Sequence, residues 1–176
     1  MMTWLAKLIF FHFMGWKIAG DFPKLNKFIV AVFPHTRNLD FLVGVLARTV
    51  LNEQINFVGK KELFNPFTGW FFTALGGYPI NRSKNENKVN VIAEVFNQRE
   101  RFRLAIAPEG TRKKVDRWKT GFYHISIKAG VPILLVNFNY KLKKVSFLKL
   151  FYPTGNLKKD FVLMEGFLNK AMQEKS

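Results

Sequence analysis

The run Phe28-Ile29-Val30-Ala31-Val32-Phe33 is apolar throughout and stops at Pro34 and His35. A stretch with no polar alternation has no face to give to water, so it reads as a strand buried on both sides of a sheet. Such a strand needs a layer above it and another below. Leu104 to Ala107 and Pro132 to Phe138 are further apolar runs, and Asn56 to Gly59 and Tyr78 to Ile80 are shorter extended ones. Between them, Asp40 to Leu51 sets Leu42, Val45, Leu46 and Thr49 on one helical face. Asn87 is a candidate N-cap for a helix with Val89, Ile92, Val95 and Phe96 at helical spacing, and Lys119 to Ala129 is a helix capped by Gly130. Pro66 to Leu75 reads as an aromatic helix stopped by Gly76-Gly77, Val145 to Tyr152 as an edge strand, and Lys158 to Met172 as a closing helix. The alternation predicts an α/β fold, a single domain with a mixed, largely parallel central sheet flanked by helices.

No Pro-, Gly- or Ser-rich stretch divides the 176 residues. Residues 21–176 are expected to form the globular domain, preceded over residues 1–20 by an amphipathic, membrane-associating segment. In that segment Trp4, Leu5, Leu8, Ile9, Phe10, Phe11, Phe13, Met14 and Trp16 are interrupted by Lys7, His12 and Lys17. A bilayer crossing wants about twenty mostly apolar residues, and no small-residue cleavage site follows. Two readings stay open: a helix lying in the membrane interface, or a first helix packed on the core.

Twenty-eight Lys and Arg against 12 Asp and Glu give a formal charge of +16, which selects anionic partners. Many of the 20 Phe residues gather near the N-terminus and in Phe64 to Phe72 instead of alternating with cations as on a base-stacking surface. That favours lipid, and no nucleic-acid partner is expected. Cysteine is absent, which excludes disulfides and thiol nucleophiles, and His12, His35 and His124 lack the spacing of a metal-ligand set, so no metal is expected.

His35 stands five residues before Asp40. A histidine can take a proton near neutral pH, and a carboxylate can fix its tautomer and stabilise the imidazolium. Two other strand ends carry polar residues: Asn81-Arg82, and Pro108-Glu109-Gly110-Thr111-Arg112. Ligands of open α/β sheets collect outside the carboxyl ends of strands, so the three segments can converge there.

In this order the residues resemble the glycerolipid acyltransferases, the family typified by lysophosphatidic acid acyltransferase. His35 to Asp40 looks like the first motif of that family, Gly77 to Arg82 its second, Pro108 to Arg112 its third with Lys119-Thr120-Gly121 after it, and Val131-Pro132-Ile133 its fourth. Pro34, Asn81 and Leu135 depart from the common pattern without removing a reacting group. The resemblance implies acyl transfer from acyl-CoA or acyl-carrier protein to a free hydroxyl of a lysophospholipid, 1-acyl-sn-glycerol-3-phosphate above others, with no cofactor. It makes His35 and Asp40 catalytic. Arg82, Arg112 and Lys119 become candidates for phosphate, Glu109 for a glycerol hydroxyl or for orienting Arg112, Gly110 for a tight turn beside the ligand, and Thr111 for a phosphate contact or a cap. The Phe64 to Phe72 segment and the N-terminal helix are expected to line a groove for the acyl chain, with the protein peripheral or monotopic on the cytoplasmic face of a membrane. Other acceptors remain open, glycerol-3-phosphate or a lyso-aminolipid. The reading of another class is a non-catalytic, basic lipid- or nucleic-acid-binding module.

Overall fold

The buried run becomes β2 (Lys27–Phe33), near the middle of a seven-stranded sheet in the order β1-β7-β6-β2-β5-β3-β4. The computed structural model describes residues 3–35, 39–80, 88–110 and 118–173. Its neighbours are β5 (Phe102–Ile106) on one side and β6 (Ile133–Asn139) on the other, both parallel to it. Beyond β5 lie β3 (Asn56–Lys60) and β4 (Gly77–Ile80), also parallel. Beyond β6 lies β7 (Lys144–Phe151), antiparallel, with β1 (Lys17–Ala19) parallel to it at the margin. The Val145 strand is therefore not an edge: three residues from the N-terminal segment cover it. The sheet is mixed and largely parallel, as its sequence predicts.

Side chains of a strand alternate between faces, and β2 shows the consequence. Ile29, Ala31 and Phe33 join one core with the helices α4 (Lys88–Gln98), α5 (Gly121–Ala129) and α6 (Leu157–Gln173). Phe28 and Val30 join another with α1 (Thr3–Lys7) and α2 (Leu39–Val50). Both faces are covered, which is why β2 contains no polar alternation. Gly130 caps α5 in the left-handed region at φ +63°, its amide meeting the carbonyls of Ser126 and Ile127.

Two segments differ from their sequence pattern. The helix expected over Pro66 to Leu75 is the shorter α3 (Gly69–Ala74), preceded by a 3-10 turn (Lys61–Phe64). Asn65 holds residues 66–68 in a turn before that helix, its side-chain oxygen accepting the amides of Phe67 and Thr68 at 2.9 and 3.1 Å. The N-terminal segment runs from α1 into a π-helical turn (Leu8–Phe13); Ala6, Phe10 and Trp16 are buried, while Trp4 and Phe13 are 61% and 78% exposed. The segment is thus both packed on the core and apolar outside. Asn87, the expected cap of α4, lies outside the described residues.

Candidate active site

β2 and β5 are adjacent and parallel, with Ala31 opposite Ile106, so the loops leaving their carboxyl ends meet. His35 follows the cis Phe33–Pro34 peptide, and its backbone amide donates to Glu109 Oε2 at 2.8 Å. Its ring Nδ1 lies 3.0 Å from Asp40 Oδ2, with the Asp40 side chain 2% and the His35 side chain 26% exposed. Asp40 is in the first turn of α2, where the helix dipole favours a carboxylate. An ionised carboxylate only accepts, so Nδ1 carries the proton of this hydrogen bond. The neutral ring then keeps its lone pair on Nε2, which has no protein partner among the described residues.

The third motif is built as a tight turn. Gly110 donates to the Ala107 carbonyl at 3.0 Å and has φ +62°, and the Lys119 amide donates to the Pro108 carbonyl at 2.9 Å. A Cβ on Gly110 would stand 2.7 Å from Lys119 Cδ, so what passes close over this glycine is the lysine stem. His35, Asp40, Glu109, Gly110 and Lys119 are thereby brought together at neighbouring loops. The carboxylate of Glu109 is spent partly on the His35 amide, a contact across 74 residues of sequence that spacing alone did not reveal. Arg82, Thr111 and Arg112, like Arg37, lie outside the described residues.

His35 and Asp40 line one end of an apolar cavity of about 200 Å³ between α2 and the sheet, whose walls include Val32, Gly44, Val136 and Phe138. Gly44 faces it without a side chain; a Cβ there would meet only Phe138, at 3.9 Å. Two turns further along α2, about 12 Å from Asp40, Arg48 also lines the cavity. Its guanidinium donates to the Ile55 carbonyl at 2.8 Å and, at 3.5 Å, to that of Ala74, and burial lowers its pKa. None of Phe64 to Phe72 and nothing from the N-terminal helix lines this cavity. In the Phe64 to Phe72 segment Phe67 and Trp70 turn outward, 87% and 71% exposed, while Phe64 and Phe72 are half-buried against each other.

A tyrosine completes the site. Tyr140, the residue after β6, donates its hydroxyl to Asp40 Oδ1. Its signal was the one that exposed His35, a polar side chain just past a buried strand, but 100 residues separate it from its partner. No group of three or more His, Cys, Asp or Glu side chains able to hold a metal occurs among the described residues.

The comparisons with known proteins fit this geometry. The chain is 34% identical over 122 residues to the 1-acyl-sn-glycerol-3-phosphate acyltransferase of Escherichia coli (strain K12), covering 66% of this chain and 49% of that one. It is 25% identical over 148 residues to the protein of the same name from Saccharomyces cerevisiae, covering 76% and 48%. It spans about half the length of these curated relatives. The crystal structure of the 1-acyl-sn-glycerophosphate (LPA) acyltransferase from Thermotoga maritima shares the fold, with a TM-score of 0.62 and 20% identity over 99% of this chain and 80% of that one. The acyltransferase family model matches residues 19–139, from the edge of the sheet through the end of β6, and the chain belongs to that family.

Proposed function

We propose that the protein is an O-acyltransferase of phospholipid biosynthesis. It moves a fatty acyl group from the thioester of acyl-CoA or acyl-carrier protein to the free hydroxyl of a lysophospholipid, 1-acyl-sn-glycerol-3-phosphate. The observation that carries this reading is the His35 ring, tied through Nδ1 to buried Asp40, at the end of an apolar cavity. Nε2 of neutral His35 takes the hydroxyl proton as the oxygen attacks the thioester carbonyl. The tetrahedral intermediate collapses, the C–S bond breaks, and the imidazolium returns its proton to the departing thiolate. Ester and free thiol are the products. Asp40 keeps the tautomer and stabilises the transient cation without itself being protonated. The names of the relatives support this acceptor, and its phosphate is assigned to Lys119 with Arg82 and Arg112.

The cavity is assigned to an acyl chain. Gly44→Leu would fill part of it, and the ratio of kcat/KM for short over long acyl chains is expected to rise about tenfold. An unchanged ratio would remove the cavity from the reading.

Exposed apolar side chains bring the site to a membrane surface: Trp4 and Phe13 in the N-terminal segment, Leu39, Phe41 and Leu42 around the catalytic aspartate, and Phe67 and Trp70 before β4. Among the described residues no helix is long and apolar enough to cross a membrane. The attachment proposed, through these exposed side chains, is peripheral or monotopic. The combined Trp4→Ser and Phe13→Ser substitutions should reduce sedimentation with anionic vesicles.

The deciding assay offers labelled acyl-CoA and acyl-carrier protein with lysophosphatidate, glycerol-3-phosphate and lyso-aminolipids. Wild type should esterify lysophosphatidate, and His35→Ala should lose about a thousandfold in kcat. Undiminished turnover in His35→Ala would end the general-base mechanism.

A further inference from the structure

Tyr140 lies outside every motif that links this chain to its family, yet its hydroxyl reaches the catalytic carboxylate. Asp40 uses Oδ2 for the imidazole and Oδ1 for the phenol. The χ2 torsion of an aspartate is soft and nearly two-fold, so a donor on one oxygen constrains the carboxylate plane less than donors on both. Tyr140 supplies a donor on the other oxygen, and a phenol donating to a carboxylate makes a strong, charge-assisted bond. With the Asp40 side chain 2% exposed, bulk water is a poor substitute for that donor. The phenol is itself held from behind: the Trp16 ring stands edge-on to Tyr140 at 5.0 Å between centroids, and Trp16 packs on Phe10 and Phe138 at 6.2 Å.

We infer that Tyr140 is a positioning residue of the acyl-transfer site, fixing the Asp40 carboxylate so that the His35 ring is aligned for proton abstraction. The inference rests on the function proposed above. It also ties the N-terminal segment to the chemistry, because Trp16 joins the π-helical turn to the tyrosine.

Tyr140→Phe keeps the ring against Trp16 and removes only the hydroxyl. The expected result is a kcat lowered about 10- to 100-fold with KM for donor and acceptor within about twofold, since misalignment of a base by a fraction of an ångström acts on the transition state. In an Asp40→Asn background the same substitution should change the residual rate by less than about twofold, because the group it positions is already altered. The low-field Nδ1 proton resonance of His35 in the free protein, assigned by its loss in His35→Ala, should shift or broaden in Tyr140→Phe. A kcat within twofold of wild type with an unmoved resonance would overturn the role, as would an equal loss in both backgrounds. A wild-type protein that acylates no lysolipid would overturn the proposed function instead, and the His35 resonance would still decide the role of Tyr140.

Discussion

Asp40 and Asp160 are two buried carboxylates built on one plan. Each lies in the first turn of a helix, α2 or α6, and each takes the hydroxyl of a tyrosine from a different element, Tyr140 or Tyr123. They part at their remaining bonds. Asp160 spends them on Thr154, whose amide donates to Oδ2 at 2.7 Å and whose hydroxyl donates to Oδ1 at 2.9 Å, so its donors come from the core and from its own helix start. Asp40 gives Oδ2 to His35, a side chain 26% exposed at the end of a cavity. Burial and a tyrosine partner therefore do not set the two carboxylates apart. What distinguishes Asp40, the carboxylate proposed for catalysis, is a bond to a titratable group that is partly exposed at a cavity.

The largest test of this contrast is activity. Asp40→Asn should lower kcat about a thousandfold, because the amide no longer favours the imidazolium that forms as the hydroxyl is deprotonated. Its melting temperature should move by no more than about 3 °C, since the amide can still accept the Tyr140 hydroxyl and donate to the other tautomer of His35. Paired turnover and thermal-melt measurements decide the point, and a large loss of stability with retained turnover would make Asp40 a second Asp160.

The converse effect is expected at the other carboxylate. Asp160→Asn sets an amide among donors that call for acceptors, and the loss of charge-assisted bonds in a buried cluster costs about 3 kcal/mol. For a chain of this size that corresponds to a melting temperature lower by about 6–12 °C. At a temperature where the variant is still folded, its kcat should equal that of wild type. A kcat loss without a stability loss would break the distinction.

The same contrast explains what sequence reading could reach. β2, α2 and the αL cap at Gly130 follow from patterns within a few residues, and so did the suspicion of His35 and Asp40, five positions apart past a buried strand. The partners that make the pair a site come from far away: Glu109 across 74 residues and Tyr140 across 100. Periodicity has no access to such distances, because they depend on β2 lying between β5 and β6. The three-residue β1 was missed for a similar reason. Its length carries no pattern, and only the antiparallel β7 gives it a strand to pair with. Phe67 and Trp70 are exposed and lie outside the lining of the cavity beside His35, and the sequence does not separate the two cases because an aromatic run looks alike whether it faces a core or the outside.

The smallest expected effect is a pH dependence of stability carried by the structural carboxylate and its tyrosine. Burial alone would raise the Asp160 pKa, but the bonds from Tyr123 and Thr154 outweigh it and hold the carboxyl below its ordinary value. Its contribution to stability is therefore present above the unfolded value near 3.9 and is lost as pH falls through the lower folded one. The Tyr123 phenol is pushed up to about 12 by burial and by its bond to Asp160. A pKa raised above the unfolded value near 10 stabilises the fold below that pH and ceases to do so as pH rises toward the folded value. Melting curves of wild type and Asp160→Asn should thus run a constant distance apart near neutrality and converge below about pH 4. Tyr123→Phe should remove the share of the alkaline loss that begins near pH 10. A gap between wild type and Asp160→Asn that persists unchanged at pH 3 would mean that the carboxylate is not what the cluster stabilises, and the likeness drawn between the two aspartates would rest on their tyrosines alone.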